Sequence, residues 1–80
     1  MPTLLLVGGY RIVVYPNDHG PAHLHVVGDG HAKFLIGSAP DDVRLFEQEG
    51  ISARDLRRIA EAIIDRHREC LAGWRNYHGD

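Results

Sequence analysis

The segment Asp18-His19-Gly20-Pro21-Ala22-His23-Leu24-His25 holds three of the six histidines in this 80-residue chain. Imidazole changes charge near neutral pH, so acid–base or metal chemistry would concentrate here. Three readings fit the residue types. In one, His23 and His25, two apart on a strand, ligate a divalent ion with His19 or Asp18 as a third donor, and Zn²⁺ accepts imidazole readily. In another, no cofactor is needed. His19, His23 and His25 supply a general base and a general acid for cleaving an RNA phosphodiester. Arg11 and Lys33, with Tyr15, then bind the substrate, and the two cations stabilise the charge that builds on the phosphate. In the third, the histidines are hydrogen-bonded surface residues or part of a protein interface.

All three readings require elements that gather these side chains. Leu4–Val7 and Tyr10–Tyr15 are rich in aliphatic, β-branched and aromatic residues, and Gly8-Gly9 between them suits a two-residue type I′ turn. Pro16-Asn17-Asp18 ends the second strand. A third strand spans about His23 to Val27, Gly28-Asp29-Gly30 turns the chain, and a fourth spans about Ala32 to Ile36. Val43–Phe46 is at most a short extended piece. Side chains alternate along a strand, so Leu24, Val26, Ile12 and Val14 share one face, while His23, His25, Arg11, Tyr15 and Lys33 share the other.

A helix has the clearest signature. Ser52 is suited to cap it, Asp55 stands three residues on, and Ile51 with Leu56 forms a hydrophobic staple. Leu56, Ile59, Ala60, Ile63, His67, Cys70, Leu71 and Trp74 recur at three- and four-residue spacing and predict one long helix with one apolar face. His67 on that face reads as a buried, hydrogen-bonded core residue, Cys70 as packing, and Trp74 with Tyr77 as closing the core. Arg54, Arg57 and Arg58 fall in the first turns, where the helix dipole disfavours cations. They form either a solvated face or a docking surface for an acidic partner or RNA. The expected fold class is α+β, a small antiparallel sheet of two β-hairpins covered on one face by a long C-terminal helix, as a single domain over residues 1–80.

Composition limits the function classes. With 44% hydrophobic and 25% charged residues, the chain is neither disordered nor low-complexity. Its longest apolar run, Leu4–Val7, is far below the roughly 20 residues of a membrane span. No basic n-region precedes that run, so a cytoplasmic protein is expected. The single cysteine excludes an internal disulfide. Net charge is −2, with three basic residues against six acids in residues 1–50 and six arginines against five acids in residues 51–80. Neither half is the basic surface of a duplex-binding protein. A core this small is marginal, so a homodimer or a heteromeric complex is expected.

Met1-Pro2-Thr3, Gly8-Gly9-Tyr10-Arg11 and Asn17-Asp18-His19-Gly20-Pro21-Ala22-His23-Leu24-His25-Val26 together resemble a small bacterial family, domain of unknown function 4160. Ala32-Lys33-Phe34, His67-Arg68-Glu69 and Trp74 are similar to it as well. Ala22 stands where the family pattern usually has a second proline. The resemblance implies a short protein encoded beside a small cognate protein, in an arrangement like a toxin–antitoxin pair. The expected function is then the toxin-like member of such a pair, acting on RNA through the histidines. The alternative is a non-enzymatic protein- or metal-binding module that uses the same polar face.

Overall fold

Five strands follow one another in space as they do in sequence: β1 (Thr3–Val7), β2 (Tyr10–Val13), β3 (His23–Val27), β4 (His31–Ile36) and β5 (Val43–Glu49). Every neighbouring pair is antiparallel. Among the described residues two helices follow, α1 (Ala53–Asp65) and α2 (His67–His78). The structure is a computed structural model that describes residues 3–16, 19–39 and 41–78. Asn17, Asp18 and Gly79, which the sequence assigns to a turn and to the end of the helix, lie outside the described residues.

Alternation along the strands decides which side is covered. Ile12, Leu24, Val26, Ala32, Phe34 and Ile36 belong to one buried cluster with Ile59, Ile63, Cys70 and Trp74 of the helices. Burying a large aliphatic or aromatic side chain contributes about 1.5–3 kcal/mol, so this single layer of contacts supplies the fold's main driving force. The fold is α+β with the helices on one face, as the residue pattern implies.

The start of α1 matches its sequence signature. Ser52 is extended (φ −67°, ψ 155°), and its hydroxyl accepts a hydrogen bond from the Asp55 backbone N–H at 3.1 Å. Ile51 and Leu56 both join the core.

Three details differ from the sequence expectation. First, β5 is a full seven-residue strand, so the sheet has five strands, not two hairpins alone. It is an outer strand, six of its seven residues are exposed, and the shifted pairing Lys33↔Glu47 and Phe34↔Leu45 leaves Phe46 as a bulge. No in–out alternation is therefore present for a sequence to display. Second, the long helix is divided at Arg66 (φ −112°, ψ 29°). Hydrogen bonds from Arg66 N–H to the Ala62 carbonyl and from Cys70 N–H to the Arg66 carbonyl bridge the break. The buried face runs on through it, and neither Gly nor Pro marks it. Third, Val7 faces Tyr10 across Gly8-Gly9, but only Gly8 has positive φ (58°). That is the demand of a type II′ turn, whereas type I′ needs positive φ at both residues.

Gly73 looks costly inside a helix, but it has a packing role. A Cβ there would lie 2.6 Å from Leu4 Cδ2, so the missing side chain lets β1 approach α2 closely.

Candidate functional site

The strand register assembles a row of side chains on the sheet face away from the helices. His25 stands opposite Val13 on one side and opposite Lys33 on the other, and Lys33 stands opposite Glu47. Arg11 pairs with Val27, which pairs with His31, which pairs with Glu49. The Tyr15 ring meets the His25 ring edge-on at 4.6 Å. Lys33 Nζ lies 5.0 Å from the centre of the Phe46 ring, within cation–π range. Between these polar groups the face presents half-buried Val27 and Leu35. Leu6 on β1 and Phe46 on β5 are 74% and 58% exposed.

His23 departs from the expected arrangement. Strand alternation places it on the polar face beside His25, where its ring does meet His25, yet it is only 3% exposed. Its Nδ1–H donates to the Pro21 carbonyl at 2.8 Å, which fixes that nitrogen as the protonated one in the neutral ring. The His23 ring packs against Trp74 at 4.7 Å and against His25 at 5.2 Å. The cause is its position as the first residue of β3, where α2 brings Trp74 over the strand. Trp74 in turn stacks on His78 at 3.8 Å, and the His78 Nδ1–H donates to the Trp74 carbonyl. Tyr15, His25, His23, Trp74 and His78 thus form a line of touching rings from the sheet face to the helix end. His78 could have been found from its i+4 spacing to Trp74; Phe46 carries no periodic signal because it sits in the bulge.

The six predicted site residues therefore separate. Arg11, Tyr15, His25 and Lys33 occupy one face, His23 is sealed under Trp74, and His19 lies exposed in the turn before β3. Among the described residues no group of three or more His, Cys, Asp or Glu is placed to hold a metal ion, so the three imidazoles do not gather as one ligand set. Asp18, the other suggested donor, lies outside the described residues.

Two core assignments hold. His67 is buried, and its Nε2–H donates to the Gly37 carbonyl at 2.6 Å, tying α2 to the β4–β5 connection. Cys70 is fully buried, and burial pushes its thiol up to about 11, helped by the Glu69 carboxylate and opposed by Arg66. A thiol in that environment is packing, not a nucleophile.

No helix among the described residues is long and apolar enough to cross a membrane. Comparison with curated proteins and with solved structures found no match. The model of one family, described as a domain of unknown function (DUF4160), matches residues 9–75 and so takes in β2 to β5, α1 and most of α2. With the histidine segment, Arg11, Lys33 and Trp74 all inside that match, the chain belongs to the DUF4160 family.

Proposed function

We propose that this protein is a non-enzymatic binding module that holds a small cognate protein, encoded beside it, on the uncovered face of its sheet. The observation that carries this reading is the face itself, where apolar Leu6, Val27, Leu35 and Phe46 are interleaved with Arg11, Lys33, His31, Glu47 and Glu49. Aliphatic and aromatic anchors within a charged surround are how protein interfaces combine affinity with choice of partner. The burial of His23 supports it over ribonuclease action. Of the three imidazoles offered for acid–base work, His23 is enclosed by Trp74 and bonded to Pro21, which leaves both roles to His25 and to His19 in the preceding turn. In a toxin–antitoxin-type pair in the cytoplasm, this chain is then the partner-holding member, with no metal in its action.

The test is co-expression with the neighbouring small protein, followed by co-purification and titration calorimetry. Wild type forms a stoichiometric complex, and the double variant Arg11→Glu, Lys33→Glu loses it while keeping its unfolding midpoint. Incubation with labelled single-stranded RNA across pH 5–9 leaves the RNA intact. Cleavage by wild type that disappears in His25→Ala would overturn the reading in favour of catalysis.

A further inference from the structure

A groove of about 720 Å³ runs along the α1–α2 junction and along α2, away from the sheet face just described, with Ser38 at its border. Ile64, Leu71 and Ala72 give it an aliphatic floor, and Arg68 and Arg75 flank Leu71. Ile64 is 41% exposed. Arg66 is occupied by Glu69 at 3.4 Å, but Arg68 and Arg75 make no ion pair among the described residues. The chain also carries the opposite chemistry elsewhere. Outer strand β5 exposes Leu45 and Phe46, followed by the acids Glu47 and Glu49.

We propose that the groove of one copy receives strand β5 of a second copy, so that two chains form a reciprocal dimer that assembles without the cognate protein and competes with it for Phe46, Glu47 and Glu49. Phe46 covers Ile64 and Leu71, while Glu47 and Glu49, on the same side of β5, meet Arg68 and Arg75. The spacings are compatible. Two acids at i and i+2 on a strand stand about 7 Å apart, and arginines two helical turns apart are separated by about 10 Å along the axis, within the reach of their side chains. Among the described residues these acids make one ion pair, the exposed contact of Glu49 with His31 at 3.3 Å. A second copy fits better than RNA. The groove has no Phe, Tyr or Trp on which bases could stack, its His67 ring is buried, and the whole chain is net negative. The same contact covers an outer strand that would otherwise be open to unspecific pairing. A two-fold axis makes each copy both donor and receiver, so the contact closes at two chains.

Charge reversal in trans tests this with the protein alone. Light scattering and sedimentation velocity of wild type give twice the mass of one chain at high concentration, with dissociation favoured by salt. The variant Arg68→Glu, Arg75→Glu and the variant Glu47→Arg, Glu49→Arg each run as monomers with an unchanged circular dichroism spectrum, since all four positions are exposed. Mixed together they form a one-to-one heterodimer, because each groove then meets a strand of opposite charge. Wild type that stays monomeric at every concentration, a dimer that survives either reversal, or a mixture that fails to associate would each overturn the proposal. Arg68→Glu, Arg75→Glu leaves the sheet face untouched, so a variant that loses the dimer and still binds the cognate protein separates this proposal from the sheet-face complex.

Discussion

His67 and Cys70 lie one turn apart on the buried side of α2, and each makes a residue-level prediction. Replacing His67 with Phe keeps the bulk and leaves the Gly37 carbonyl without its donor, which should cost about 1–3 kcal/mol in denaturant unfolding. Cys70 makes stability depend on pH. The unfolded thiol loses its proton near the ordinary 9.0, while the native thiol keeps it until about 11. The native state then binds more protons across that window, so stability falls as pH rises from 9 towards 11. Unfolding curves of wild type and Cys70→Ala should converge across that range, and parallel curves would show that the thiol titrates alike in both states. The same scale explains why the burial of His23 is not legible in the sequence. Strand alternation correctly put it beside His25, but alternation is a rule about one strand and contains nothing about Trp74, which lies 51 residues further along the chain.

At the scale of elements, stability should rest on the helical face that meets the sheet. Ile63 is fully buried in the core, and Ile63→Ala should cost about 2–5 kcal/mol by the cavity it leaves. Ser52→Ala should cost about 1 kcal/mol, since it removes only the acceptor for the Asp55 N–H. Both costs are measurable by chemical denaturation. These elements were legible because their signals are local: a cap three residues from its partner, a staple around it, and apolar residues at helical spacing. Strand β3 was legible for the same reason. What escaped was set by tertiary context. An outer strand such as β5 does not need an apolar face, and its bulge breaks any period that remained. The break at Arg66 leaves the buried face in register, so Ile63, His67 and Cys70 read as one helix although the backbone departs from helical geometry between them.

At the scale of the whole molecule, two helices cover one side of a five-stranded sheet and leave much of the other side exposed. Adjacent residues on one strand should therefore fail in opposite ways. Phe34 is 2% exposed and packs in the core, whereas Leu35 points to the uncovered face beside His23 and Arg44 in the register. Phe34→Gln removes a large apolar side chain and buries an amide with no partner, so it should cost about 3–5 kcal/mol and leave little folded protein. Leu35→Gln keeps its polar end near water and should cost about 1 kcal/mol or less, with the helices and core intact. Its effect should appear in the complex instead, as weaker binding of the cognate protein from the loss of an apolar anchor on the face. Thermal unfolding separates the two variants, and titration calorimetry of Leu35→Gln reads the binding. Full affinity in that variant would move the interface away from Leu35. A Leu35→Gln protein as unstable as Phe34→Gln would mean that both faces of the sheet are structural, and that the uncovered side is closed by the protein itself.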